Sequence, residues 1–166
     1  MTLEKLEDIL YYDFKTGEWW WKERFDVPKE WNTRWAHKKA GGINSLGYHQ
    51  ICIDGVIYLA HVLAWFYMTG TWPENEIDHR NETRNDNRWC NLRKATKSQN
   101  MCNRGKQRNN KSGIKGVCWS SRDKKWIVTL NVNRKCVFRQ TFNIFEDAVL
   151  AREKASIQFH KEFAKL

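Results

Sequence analysis

Three stretches of the chain carry side chains whose types and spacing could act together on a phosphodiester. They are Ile77-Asp78-His79, Asp86-Asn87-Arg88-Trp89-Cys90-Asn91-Leu92-Arg93 and Thr96-Lys97-Ser98-Gln99-Asn100. The skeleton is Asp-His, eleven residues, Asn, eight residues, Asn. Hydrolysis of a phosphodiester needs a base to make water nucleophilic, a cation to stabilise the charged phosphorus centre, and a frame that holds both. His79 is the candidate base, because an imidazole titrates near neutrality. Asp78 and Asn100 offer hard oxygens, which suit one Mg2+ or Mn2+ held by few protein ligands and several waters. Asn91 is placed to tie the intervening loop together through side-chain to backbone hydrogen bonds. Arg80, Arg84, Arg88 and Arg93 flank the cluster, and Arg93, directly after Asn91-Leu92, is the favoured phosphate clamp.

Local patterns indicate what must position these groups. Asp78 and His79 are neighbours, so a regular strand would send them to opposite faces, and the polar loop Arg80–Asn87 is where the chain can turn. Thr96-x-x-Gln99 is a capping-box pattern that starts a helix near Lys97 and puts Asn100 in its first turn or so. Upstream, Leu3, Leu6, Ile9 and Leu10 predict a short opening helix. Asp13-Phe14-Lys15-Thr16-Gly17 lies between aromatic runs and reads as a hairpin turn. Residues 24–42 read as irregular, punctuated by Pro28 and Gly41-Gly42. Asp54-Gly55 is a two-residue hairpin signal, and the apolar run Leu59 to Met68 predicts a helix ending at Gly70. His61, at the start of that run, reads as a structural, hydrogen-bonded side chain, with phosphate contact or metal support as the alternative. The tryptophans at 19, 20, 21, 31, 35 and 65 read mostly as core or partial core.

The pattern then restarts. Residues 103–112 have no apolar side chain and four positive charges, a linker composition. Ile114–Ser120, Trp126–Val132 and Val137–Phe142 predict three short strands, and Ile144–Phe163 an amphipathic helix with Ala148, Ala151, Ala155 and Phe159 on one face. The fold class expected is α+β, with a nuclease-like domain over 1–102 (core about 57–102), the basic linker 103–112, and a three-stranded antiparallel sheet packed on one helix over 113–166.

Charge is sorted along the chain in the same way. Residues 1–102 carry 14 basic and 14 acidic side chains, whereas 103–166 carry 15 and 5 and so hold the whole formal net charge of +10. A neutral body with a basic tail points to a polyanion, and nucleic acid is the partner expected. No apolar run approaches the ~18 residues that cross a bilayer, and the first residues lack a secretory pattern, so a cytoplasmic protein is expected. The five cysteines form no CxxC pair, which argues against a zinc knuckle or a disulfide framework.

The run from Tyr58-Leu59-Ala60-His61 through Asp78-His79, Asp86-Asn87-Arg88, Asn91-Leu92-Arg93 and Gln99-Asn100 resembles the HNH homing endonucleases of bacteriophages. That resemblance implies a hairpin, loop and helix around one metal ion (the ββα-metal motif). It implies His79 as general base, Asn91 as the loop-stabilising residue, and Asp78 and Asn100 as metal ligands. The last letter of the motif is Asn here rather than His. Ser112-Gly113-Ile114-Lys115-Gly116-Val117-Cys118-Trp119, Lys125-Trp126, Thr141-Phe142 and Glu146-Asp147-Ala148 resemble the plant Apetala2/ethylene-response DNA-binding domain. It implies a sheet face set in the major groove of double-stranded DNA. Alternation then turns Val117, Trp126, Val128, Leu130 and Phe142 towards the helix and leaves Lys115, Thr129, Asn131, Arg134, Lys135 and Arg139 for DNA. Lysine and arginine would mostly hold phosphate, while Asn131 or Arg139 would read a base. Cys118 and Ser120 stand where the plant domains carry arginine, so the resemblance supports backbone binding more than base reading.

Together these readings predict a Mg2+- or Mn2+-dependent DNA endonuclease, acting in a phage-infected bacterial host, that nicks or cuts a duplex. The rival readings are a non-catalytic DNA-binding regulator on the same scaffold and an RNA-directed nuclease. Monomer and dimer both remain open.

Overall fold

A computed structural model describes residues 1–103, 110–160 and 163–164. The chain divides into two compact units, Met1–Lys94 and Ala95–Leu166. Both are mixed α+β, built on small sheets. Most of the basic linker expected at 103–112 lies outside the described residues. No helix among the described residues is long and apolar enough to cross a membrane.

In the first unit, helix α1 (Leu3–Ile9) starts where the Thr2 hydroxyl accepts from the Lys5 amide, and it buries Leu6 and Ile9. Strands β1 (Leu10–Asp13) and β2 (Glu18–Trp21) pair antiparallel, Leu10 opposite Trp21. Their turn closes where Asp13 Oδ1 accepts from the Lys15 amide at 2.9 Å. Gly17 sits at φ +77°, and a Cβ there would lie 2.5 Å from the backbone N of Arg88. The hairpin can therefore press against the Asn87-Arg88 backbone only with glycine at this position.

Residues 29–35 depart from the irregular segment expected. They form helix α2 (Lys29–Trp35), which buries no residue fully. What holds it is tertiary. Trp31 packs edge-on against Trp21 with ring centroids 5.1 Å apart, and Asn32 exchanges hydrogen bonds with the Arg24 backbone. Pro28 and Gly41-Gly42 punctuate the segment, but Pro28 stands at the N-cap and so permits the helix that follows.

Strands β3 (Gly42–Ile43), β4 (His49–Ile53) and β5 (Val56–Leu59) form a sheet in that order. Asp54 and Gly55 both take positive φ, 51° and 80°, as a tight two-residue hairpin requires. Helix α3 (Ala60–Thr69) ends on Gly70 in the left-handed region. Strand β6 (Glu76–His79) pairs with β7 (Leu92–Ala95), and a single 3-10 turn (Trp89–Asn91) precedes β7. Leu6, Leu10, Trp19, Ile51, Ile53 and Leu63 make the centre of the core, each at most 1% exposed.

The second unit opens with helix α4 (Lys97–Asn103). The capping box forms, since the Thr96 amide donates to Gln99 Oε1 at 2.7 Å and the Gln99 amide to Thr96 Oγ1 at 3.2 Å. Strands β8 (Val117–Ser120), β9 (Lys125–Val132) and β10 (Lys135–Phe142) make an antiparallel sheet with β9 in the middle. Helix α5 (Phe145–His160) packs Ala148 against Val117 and Val128.

Candidate active site

Strand β6 buries Ile77, Asp78 and His79 alike. Alternation gives the last two separate surroundings, so both can be buried in a regular strand without a turn between them. Asp78 meets Arg93 of β7, whose Nε donates to Asp78 Oδ2 at 2.9 Å. Both side chains are inside, at 6% and 7% exposure. Arg93, the phosphate clamp favoured from sequence, thus meets this carboxylate through its Nε.

His79 meets a different set. Its Nε2 lies 3.2 Å from Asn87 Oδ1. The Asn87 amide nitrogen points towards the Asn85 carbonyl at 3.4 Å, which leaves its oxygen as the acceptor for His79. Nε2 then carries the proton, and Nδ1 carries the lone pair that a base uses. Asn87 is itself 1% exposed, and its carbonyl accepts from the Tyr12 hydroxyl at 2.6 Å, which fastens it to the β1–β2 hairpin.

The second neighbour of His79 is His61, in the first turn of α3. The two rings meet edge to face with centroids 4.8 Å apart. Tyr48 lies beside both, 5.5 Å from His61 and 6.2 Å from His79. The Arg84 guanidinium covers the Tyr48 ring at 5.2 Å and donates to the Leu46 carbonyl at 2.7 Å. Burial pushes both imidazoles below their usual value. His61 falls to about 3, with the nearby His79 adding to the effect. For His79 the Asn87 hydrogen bond and the charges of Asp78 and Asp86 oppose the burial without reversing it. At neutral pH both rings are uncharged, which is the form in which a histidine accepts a proton.

The loop between β6 and β7 is closed by Asn91. Its Oδ1 accepts from the Asn81 amide at 3.0 Å, and its Nδ2 donates to Asn81 Oδ1 at 2.9 Å and to the Asp86 carbonyl at 2.8 Å. Asp86 in turn takes two hydrogen bonds from the Arg88 guanidinium, the main cause that holds its carboxyl at about 2. Arg88 is therefore engaged within the loop.

Asp78, His79, Asn91 and Arg93 belong to the first unit; Asn100 lies half-buried on α4, its amide bonded to the Thr96 carbonyl at 2.9 Å. Among the second unit's candidates, Thr129 and Arg139 are cross-strand partners on one face, and Asn131 pairs with Cys136. Lys135 pairs with Val132, which shares its face with Val128 and Leu130, so its strand position turns it away from Thr129 and Asn131. Lys115 donates to the Met101 carbonyl at 3.0 Å, and Arg134 occupies the β9–β10 turn at φ +64°.

Sequence reasoning gave no role to Asn87 or Tyr48. Asn87 stood inside the Asp86-Asn87-Arg88 motif, but nothing in its type or spacing ties it to His79. Among the described residues, His61 Nδ1 has no hydrogen-bond partner, although that atom is buried. The hydrogen-bonded structural role expected of it is thus replaced, at this nitrogen, by ring packing on His79.

Among the described residues no group of three or more His, Cys, Asp or Glu side chains is placed to share a metal ion. An oxygen-seeking divalent cation needs less, since Mg2+ is commonly held by one or two carboxylates with waters and phosphate. The Asp78 carboxylate is an oxygen donor of that kind, buried and paired with Arg93.

Residues 58–102 match the model of a family described as HNH endonuclease. The match makes this segment similar to endonuclease domains of the HNH type. It covers β5 to α4 and contains Asp78, His79, Asn87, Asn91, Arg93 and Asn100. No curated protein and no solved structure matches the chain.

Proposed function

We propose that the chain is a metal-dependent endonuclease that hydrolyses phosphodiester bonds in double-stranded DNA, and that it serves as a phage homing enzyme. Residues 1–102 would form the nuclease domain, 103–112 a basic linker, and 113–166 an Apetala2-like module that holds the substrate. The observation that carries the catalytic reading is His79 itself. It is buried, uncharged at neutral pH, and oriented by Asn87, inside the segment that matches the nuclease family.

In this reading water donates a proton to His79 as its oxygen bonds to phosphorus. One P–O ester bond breaks, and the departing oxygen takes a proton from solvent. Asn87 orients the imidazole through its side-chain oxygen. Asn91 acts through the loop, holding Asn81 and Asp86 in register with β6. Arg93 is a positioning residue: it fixes the Asp78 carboxylate. Asp78 and Asn100 are the oxygen donors that would hold one Mg2+ or Mn2+, and the bound cation supplies charge stabilisation at the phosphate and the departing oxygen. Lys115, Thr129, Asn131, Arg134 and Arg139 would contact DNA, mostly at its backbone, whereas Lys135 lies on the other face of the sheet.

The test is incubation of supercoiled plasmid with purified protein and Mg2+ or Mn2+, with EDTA as control. Nicked circles should form with the metal alone. His79→Ala should slow their formation by about 10²- to 10⁴-fold, the usual contribution of a general base. Cleavage at the wild-type rate by His79→Ala overturns the assignment.

A further inference from the structure

The second unit has a cavity along the open edge of β9. Strand β8 starts only at Val117, which pairs with Val128, so β9 runs on to Val132 with β10 on one side and, among the described residues, no strand on the other. There the Asn133 amide donates to Ser98 Oγ of α4 at 3.0 Å, and the Thr129 amide donates to the Gly116 carbonyl at 2.8 Å. The half-open space there is about 870 Å3. That is near the top of the range for pockets that bury whole small molecules, roughly 300–1,000 Å3.

Its lining is of one sign. Lys97, Lys115, Arg134, Arg152 and His160 all line it, and no lining side chain among the described residues is acidic. Arg152 is only 6% exposed, and its Nε donates to the Lys115 carbonyl at 2.9 Å. A Cβ on Gly116 would sit 2.8 Å from that Nε, so glycine lets the guanidinium lie under the chain. The His160 imidazole is pushed down by burial, against a hydrogen bond to the Asn131 backbone, and the charges of Arg152 and Lys115 add to the lowering. Ser98, Asn131 and Asn133 add neutral polar groups at the rim.

We propose that this pocket takes the phosphodiester backbone of a nucleic-acid strand, with Lys115, Arg134 and Arg152 around its phosphates. A single phosphate ion would leave most of the volume unused, whereas a run of sugar and phosphate would occupy it. The inference rests on reading the chain as a DNA-acting nuclease. It moves part of the DNA contact from the open sheet face to the β9 edge and adds two helix residues, Arg152 and His160, that strand alternation could not select.

The test is fluorescence anisotropy of the full chain with a labelled duplex in EDTA, over a series of KCl concentrations. Each phosphate contact contributes about 0.9 to the slope of log K against log salt, equivalent to roughly eightfold in affinity at 0.1 M. Lys115→Gln/Arg134→Gln should flatten the slope by about 1.8 and weaken binding roughly 60-fold. Lys124→Gln, in the β8–β9 turn, serves as the control and should keep the wild-type slope. Circular dichroism melts show whether each variant is folded, and because Arg152 also holds the Lys115 backbone, Arg152→Lys is the variant to use there, with retained binding expected. A folded double variant with an unchanged slope overturns the pocket, as does an equal loss in Lys124→Gln. Saturable binding of inorganic phosphate that the duplex does not compete away identifies a free anion as the ligand and overturns the backbone assignment. Plasmid cleavage by the wild-type chain is scored separately: its absence counts against the nuclease reading, and its presence with an unchanged slope counts against the pocket alone.

Discussion

His61→Phe removes a titratable ring from beside the candidate base and replaces it with an apolar one of similar size. In the folded chain the His61 imidazole is held at about 3, against an ordinary value of 6.5, first by burial and then by His79. As pH falls below 6.5 the unfolded chain takes up a proton on this ring, and the folded chain does not do so until about 3. Stability that is complete above the unfolded value is therefore lost through that window as acid is added. At about 1.4 kcal/mol per proton per pH unit, a site with these two values costs the fold about 2 kcal/mol between pH 7 and pH 5. Urea denaturation of both proteins at the two pH values measures the difference. The wild type should lose about 2 kcal/mol more than His61→Phe, while His49 and His79, also pushed down by burial, contribute to both. At pH 7 the variant should be no less stable, since a buried nitrogen with no hydrogen-bond partner carries a penalty of about 1–3 kcal/mol that phenylalanine lacks. Equal acid losses in the two proteins would refute the burial of a neutral His61 against His79.

Arg93→Leu strips the guanidinium from the buried Asp78 carboxylate and should destabilise the fold by about 3–5 kcal/mol in urea melts. A loss below 1 kcal/mol would mean that the pair is solvated. Asn91→Ala removes the amide that bonds Asn81 and Asp86 and should cost about 1–3 kcal/mol, with faster hydrogen exchange at the Asn81 amide as its local signature. Gly17→Ala forces a side chain into the Asn87-Arg88 backbone at positive φ, so it should lower stability by roughly 1–3 kcal/mol and cleavage with it, through the displaced Asn87. Wild-type cleavage by a folded Gly17→Ala protein would separate the hairpin from the site.

The elements that the sequence by itself determined are those whose cause is local. The Asp54-Gly55 turn, the Thr96–Gln99 cap and the Gly70 helix end each follow from the conformational preferences of two to four adjacent residues. The alternation that buries Val128 and Leu130 is local in the same way. The spacing Asp78-His79, Asn91, Asn100 is likewise read from the sequence, and the base and oxygen-donor roles proposed for these residues rest on their types. Tertiary structure alone decided which groups meet. The β6–β7 pairing brings Arg93 to Asp78 across 15 residues, and Tyr12 reaches Asn87 across 75. The packing of His61 on His79, the helix at Lys29–Trp35, the face that carries Lys135, and the gathering of Arg152 with Lys115 are of the same kind. No window of sequence holds those contacts, because each is fixed by the burial of surfaces far apart along the chain, and a side chain's partner is whatever that burial leaves within reach.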